Sequence, residues 1–90
     1  MSGTKLILND GTEIDEGRAG YAGGFLWLWF TGYTLAESAG LFFDSGKTAR
    51  IVFRYGEMED VYEGYTNCVN LGIDTDGQVS VCMKRGAENV

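Results

Sequence analysis

The stretch that most constrains the fold is Phe25–Phe30, which reads FLWLWF and is bounded by Gly24 and Gly32. A strand with one face in water alternates apolar and polar residues, because successive side chains point to opposite faces. This stretch has no polar position, so both faces of the predicted strand need cover. A chain of 90 residues makes one domain, spanning 1–90, with a single core and few elements to supply that cover.

A hairpin is predicted near the start of the chain, where Asn-Asp-Gly at positions 9–11 separates two short β-like runs. A two-residue loop would pair Ile7 with Ile14, whereas a three-residue loop would pair Leu6 with Ile14. The sequence leaves both registers open. Residues 16–24 are so rich in glycine that we interpret them as a loop or as a frayed continuation of the second strand.

A helix is predicted after the aromatic strand, because Thr34 and Glu37 have the spacing of a capping box. Gly46 is the candidate left-handed residue beyond its end, which gives a helix of about ten residues. Four apolar residues fall on one side of this helix at helical spacing: Leu35, Ala39, Phe42 and Phe43.

The second half of the chain is predicted to form three strands. Residues 48–55 alternate, which favours a half-buried strand with Ile51 and Phe53 on its apolar face. After a turn at 56–59, residues 60–73 read as one long extended run, in which glycines mark bends or bulges. No internal repeat is evident in the sequence.

The last hairpin is predicted to pair Ile73 with Val79 across a three-residue loop, because the alternative two-residue loop would set Ile73 against Ser80. This register places Cys68 opposite Lys84 and leaves the two cysteines as diagonal neighbours, too far apart for a disulfide. We therefore expect two free thiols. The apolar residues that should share one face of this hairpin are Val69, Leu71, Ile73, Val79, Val81 and Met83.

The resulting order is β-β-β-α-β-β-β, an α+β domain with an antiparallel, curved six-stranded sheet and one helix packed on one face. That helix could cover the face of Trp27 and Trp29 or the opposite face of the same strand. The uncovered face then needs a curled sheet or a second molecule. Because several exposed aromatic residues would make a sticky patch, we expect a homodimer with this strand or its neighbours at the interface.

Charge and composition exclude several classes of function. Thirteen acidic and seven basic residues give a net charge of −6, which disfavours nucleic-acid binding and the binding of small nucleotides. The chain has no histidine and no phosphate-binding or nucleophile motif, so we expect neither an enzyme nor a cofactor. Asp74–Gly77 begins like a calcium loop, but a strand pattern follows, which favours a hairpin and no metal site. No signal peptide or membrane-spanning run occurs, which predicts an intracellular protein.

The candidate partner-binding residues form two groups. One is the tryptophan pair of the aromatic strand, and the other is the acidic, tyrosine-containing segment at 57–65. Tyrosine and tryptophan dominate binding hot spots, although these tyrosines would also suit the rim of the core. With a bulge at Gly64, Tyr62 and Tyr65 would point the same way. The candidates are Trp27, Trp29, Glu57, Glu59, Asp60, Tyr62, Glu63 and Tyr65.

Four segments of the chain resemble small proteins encoded in phages and prophages of gut Firmicutes. They are LNDGTEI at 8–14, TLAESAGLFFDSGKTARIVFRYG at 34–56, VYEGYTN at 61–67 and DTDGQVSVCMKR at 74–85. The resemblance covers nearly the whole chain. It implies a phage protein without enzymatic machinery, and it carries over no catalytic or binding residue. Two roles fit: an anti-defence inhibitor that occupies a host immune factor in the host cytoplasm, or a small virion or tail-associated protein.

Overall fold

The computed structural model describes residues 3–86, which form eight strands and two short helices. The strands are β1 (Thr4–Ile7), β2 (Glu13–Asp15), β3 (Arg18–Ala22), β4 (Phe25–Phe30), β5 (Arg50–Tyr55), β6 (Met58–Glu63), β7 (Asn67–Ile73) and β8 (Val79–Lys84). The helices are α1 (Leu35–Phe42) and α2 (Ser45–Thr48).

The strands form two antiparallel four-stranded sheets that pack face to face. The first sheet has the order β2-β1-β5-β6 and the second has the order β3-β4-β8-β7. The α+β class is confirmed, but the single six-stranded sheet with one helix is wrong. The buried core lies between the two sheets and consists of Leu6, Leu8, Ile14, Leu26, Leu28, Phe30, Phe42, Ile51, Tyr65, Val79, Val81 and Met83.

Six predicted strands become eight because the chain crosses between the sheets at two corners. The first corner follows β2, where Glu16 has a positive φ of 61°, and the second follows β6, where Gly64 has a φ of 85°. These left-handed residues redirect the chain from one sheet to the other. Residues 16–24, expected to be a loop or frayed strand, therefore contain β3, and the run 60–73 divides into β6 and β7.

Both hairpin loops with Asx-Gly sequences have the three-residue form. Leu6 pairs with Ile14 in the first hairpin, and Ile73 pairs with Val79 in the last, as that hairpin's apolar pattern predicts. Gly77 has a φ of 85°, a conformation that glycine adopts without the steric cost that other residues incur. The last hairpin's predicted register at Ile73 is confirmed.

The predicted position of Cys68 is wrong by one residue. A bulge between Cys68 and Asn70 places Cys68 opposite Met83, whereas Asn67 lies opposite Lys84. The extra residue, Val69, leaves the inner face and is half exposed. Both cysteines are free in the structure.

The capping box of α1 is confirmed. The Glu37 N–H donates to Thr34 Oγ1 at 3.0 Å, and the Thr34 N–H donates to Glu37 Oε1 at 2.9 Å. Gly46, however, does not end this helix, since Phe43 already caps it and Gly46 lies within a second helix that begins at Ser45. The Gly46 N–H donates to Asp44 Oδ1 at 2.9 Å, which makes Asp44 the N-cap of α2.

The buried side of α1 differs from the predicted one. Phe42 and Ser38 are buried, whereas Leu35 and Phe43 are exposed. Phe42 stacks on Phe30 with ring centroids 5.5 Å apart, and the helix packs against β7 and β8. The helix thus contributes to the core on the inner side of the second sheet, not to the side that carries the tryptophans.

The two halves of the described chain are related by a pseudo-twofold arrangement. If β1, β2, β3 and β4 are exchanged with β5, β6, β7 and β8 respectively, each sheet keeps the same strand order, read from its opposite edge. The halves are joined by the antiparallel pairs β1–β5 and β4–β8 at the centres of the two sheets. Each sheet therefore takes one hairpin from each half.

Candidate functional site

The outer face of the second sheet carries the two tryptophans. Side chains of β4 alternate, so that Leu26 and Leu28 are fully buried between the sheets while Trp27 and Trp29 point outward and are half-buried. Phe25 shares the outer side with them. The opposite sheet therefore covers one face of the aromatic strand, and the other face, which we name the tryptophan face, stays partly open.

Neighbouring strands shape the space around both indoles. Trp29 lies between Arg18 of β3 and Ser80 of β8, and Trp27 lies between Gly20 and Cys82. A Cβ atom on Gly20 would lie 3.4 Å from Trp29 Cζ3, so the indole packs beside this position. Cys82 exposes only 4 % of its surface although it lies on the outer side, which shows how closely the side chains of this face pack.

Within residues 3–86, no outward strand position of the tryptophan face is occupied by a carboxylate. Its pairing registers place only two charged residues on the outer side of the second sheet, and both are basic. Twelve of the chain's thirteen acidic residues lie within residues 3–86, and their absence from these strand positions separates the face from the rest of the described surface. The outward positions are Arg18, Gly20, Ala22, Phe25, Trp27, Trp29, Ser80, Cys82, Lys84, Asn67, Asn70 and Gly72.

A cleft of about 400 Å³ opens at the end of β4 and extends the tryptophan face toward the first corner. A second cleft of about 380 Å³ shares Thr4 and Glu16 with it. The Glu16 N–H donates to the Thr4 carbonyl at 2.9 Å, which fixes the wall between the two clefts. The first cleft is lined by Thr4, Glu16, Arg18, Trp29, Phe30, Thr31 and Gln78. A side chain placed in it can therefore contact the Trp29 indole, the Arg18 guanidinium, the Glu16 carboxylate and the Gln78 amide.

The acidic candidates after β5 do not form one cluster. Glu59 and Glu63 lie on the outer face of the first sheet, where Arg54 approaches Glu59 at 2.8 Å and Arg50 approaches Glu63 at 3.6 Å. Asp60 lies on the other face and accepts a hydrogen bond from the Tyr55 hydroxyl at 3.1 Å. Glu57 is exposed in the two-residue turn between β5 and β6.

Tyr62 and Tyr65 come close together, but they do so at the second corner and not through the bulge at Gly64 that the sequence alternative required. Their ring centroids are 6.3 Å apart, and Tyr65 also meets the edge of Tyr21 at 6.2 Å. The Arg85 guanidinium lies 5.3 Å from the Tyr65 ring centroid, a cation–π contact. Tyr65 is buried and belongs to the core. Burial raises the pKa of Tyr62, and the nearby Asp60 carboxylate adds to that rise.

Asp74, the first residue of the calcium-like segment, stabilises a turn through its carboxylate. Asp74 Oδ1 accepts hydrogen bonds from the N–H groups of Asp76 and Gln78, each at 2.9 Å. Across residues 3–86, no group of three or more Cys, Asp or Glu side chains is placed to hold a metal ion. In the same part of the chain, no helix is long and apolar enough to cross a membrane.

No protein family, curated protein or solved structure matches this chain. The geometry adds residues to the candidate site that the sequence reasoning missed. Phe25 could have been found from its period-two spacing with Trp27 and Trp29. Arg18 and Lys84 could not have been found in this way. The sequence favours a loop or a frayed strand at 16–24, and the neighbours of Trp27 and Trp29 on adjacent strands depend on the sheet order.

Proposed function

We propose that this protein is a non-enzymatic binding protein that works by occupying a partner protein with its tryptophan face. The observation that carries this proposal is an aromatic face whose outward strand positions, within residues 3–86, include no carboxylate, in a chain of net charge −6. Protein interfaces are enriched in tryptophan, phenylalanine and arginine, and their centres are depleted of charged residues. Trp27, Trp29, Phe25 and Arg18 reproduce that composition.

The first cleft supports the proposal because it adds a concave site beside a flat one. Binding energy concentrates where a side chain of one protein fills a pocket of the other. Trp29 forms part of the cleft wall, and Arg18 and Gln78 supply hydrogen-bond donors beside it. A partner would place one amphipathic side chain there and cover Trp27 with neighbouring residues.

The resemblance to phage and prophage proteins directs the proposal toward a host protein. The proposed role is anti-defence: the protein occupies a host immune factor in the host cytoplasm. In the absence of that factor, a second copy of the chain covers the same face. The alternative role, a small virion or tail-associated protein, would use the face for assembly into the particle.

The test is capture of the host partner by tagged protein during infection. We expect the wild-type protein to retain a stable complex with a host factor, and the double variant Trp27→Ala, Trp29→Ala to lose it. Truncating one hot-spot aromatic costs about 2 kcal/mol or more, which lowers affinity roughly thirty-fold. The matched control is Phe43→Ala, which removes an exposed aromatic side chain outside the tryptophan face.

Three results would contradict parts of the proposal. A complex that survives the double variant would show that the partner uses another surface. A complex lost equally in Phe43→Ala would show a general effect of losing an exposed aromatic residue. Protein found in purified particles, without a host complex, would assign the virion role. Circular dichroism of each variant establishes that its fold is intact.

A further inference from the structure

The first sheet ends in a regular edge strand, β6. It pairs with β5 over its whole length, from Met58 opposite Tyr55 to Glu63 opposite Arg50, without a register shift. Within residues 3–86 no strand pairs with its other side. It is six residues long and contains no proline and no bulge.

The other three edges carry features that discourage pairing with a further strand. β2 has only three residues. β7 contains the bulge at Val69, and α1 packs against it. β3 has Gly20 at its centre, which weakens strand pairing. Proteins commonly protect sheet edges by shortness, bulges, cover or charged side chains. Within residues 3–86, β6 is neither short, bulged nor covered by another strand, and its charged side chains are all acidic.

The unpaired backbone groups of β6 can be assigned from the hairpin geometry. The Gly64 N–H donates to the Ala49 carbonyl at 3.1 Å, just beyond the last pair of the ladder. Hydrogen-bonding direction alternates along an antiparallel strand, so the even-numbered residues of β6 bond toward β5. The N–H and C=O groups of Glu59, Val61 and Glu63 therefore point to the free side.

The side chains of β6 favour a basic occupant over a second copy. Glu59 and Glu63 lie on the outer face with side chains 44 % and 69 % exposed, and Glu57 is exposed in the adjoining turn. Pairing β6 with β6 of a second copy would place these carboxylates against their own equivalents, which is unfavourable. Lysine or arginine residues on an added strand would lie opposite them.

We propose that the free edge of β6 binds an extended, basic segment of a partner protein by strand addition. The partner's backbone bonds to the N–H and C=O groups of Glu59, Val61 and Glu63. Its basic side chains face the two glutamates, and its alternate apolar side chains lie beside Met58 and Tyr62 on the other face. In this mode backbone bonds supply affinity and side chains supply specificity. The site is separate from the tryptophan face and does not depend on the function proposed for that face.

The test uses a seven-residue synthetic peptide in which lysine and valine alternate, because that period puts every lysine on the carboxylate side. Amide hydrogen exchange and NMR titration should show protection of Glu59, Val61 and Glu63 when the peptide binds. Binding should weaken with added salt. A peptide with glutamate in place of lysine should bind at least tenfold more weakly.

The matched variants are Val61→Pro and Val61→Ala. Both remove the valine side chain, but only proline removes the outward N–H, which the β5–β6 ladder does not use. We expect Val61→Pro to weaken peptide binding at least tenfold and Val61→Ala to stay within about threefold of the wild type. Amide spectra of the free variants establish that the hairpin is intact.

Four outcomes would overturn the inference. The first is no peptide binding at millimolar concentration, and the second is equal binding by both Val61 variants. The third is protection confined to the tryptophan face. The fourth is concentration-dependent protection of β6 without peptide, which would identify a second copy of the chain as the occupant.

Discussion

Gly17 is the residue on which the first corner depends. A Cβ atom there would lie 2.7 Å from both Cγ and Cδ1 of Leu6, a fully buried core residue. We expect Gly17→Ala to lower the free energy of unfolding by about 1–3 kcal/mol, because Leu6 must move within a packed core. Urea denaturation measures this change.

Gly40 provides the matched control for that substitution. It lies within α1, and nothing approaches within 4 Å of the position its Cβ would take. Gly40→Ala should raise stability by roughly 0.5–1 kcal/mol, because alanine restricts the unfolded chain and favours helix. Equal effects of the two substitutions would show that the first corner accommodates a Cβ by shifting.

At the scale of elements, the bulge in β7 separates the two cysteines. Burial raises the pKa of both thiols, so that little reactive thiolate forms at neutral pH. We expect slow labelling of the folded protein by a thiol reagent, and two labelled thiols per chain after denaturation without reductant. Because each raised pKa favours the protonated thiol in the folded state, this contribution to stability declines as pH rises through the thiol range. A native disulfide between Cys68 and Cys82 would contradict the register.

The elements that the sequence predicted are those whose signals are local. Thr34 and Glu37 cap α1 through each other, and Asp74 closes its own turn, so neighbouring residues suffice to identify both. The corners depend on distant contacts. The bend around Gly17 depends on its contact with Leu6 and on the sheet that β3 joins. The local sequence pattern shows neither the contact nor the sheet.

In the candidate site, too, the sequence predicts local features but not those that depend on distant contacts. Strand alternation places Trp27 and Trp29 on one face, but it does not identify that face as the outer one. Their outward position and their neighbours Arg18 and Lys84 follow only from the packing and order of the sheets. The acidic segment was identified as a group, yet strand alternation divides it between two faces and sets Glu59 against Arg54. Asp60 faces Tyr55 instead.

At the scale of the whole molecule, the half-buried tryptophan face predicts self-association of the isolated chain. We expect light scattering to give a mass near twice 9.9 kDa, and Trp27→Arg to shift it toward one chain, since a charge would replace an interface aromatic. The control Phe43→Arg should remain dimeric. Quenching of tryptophan fluorescence by acrylamide should increase on dilution, as the indoles become accessible. A single-chain mass, with indoles that the quencher cannot reach, would disprove the dimer.

The pairing of β1 with β5 and of β4 with β8 also determines when this chain can fold during its synthesis. An emerging polypeptide that ends at Thr48 has four strands but lacks the central partner of each sheet. The first sheet can be completed once Met58–Glu63 has left the ribosome, but the second sheet must wait for Val79–Lys84. Until then Phe25–Phe30 lacks its central neighbour β8, and a stalled ribosome would present this apolar segment to the chaperones of the cell.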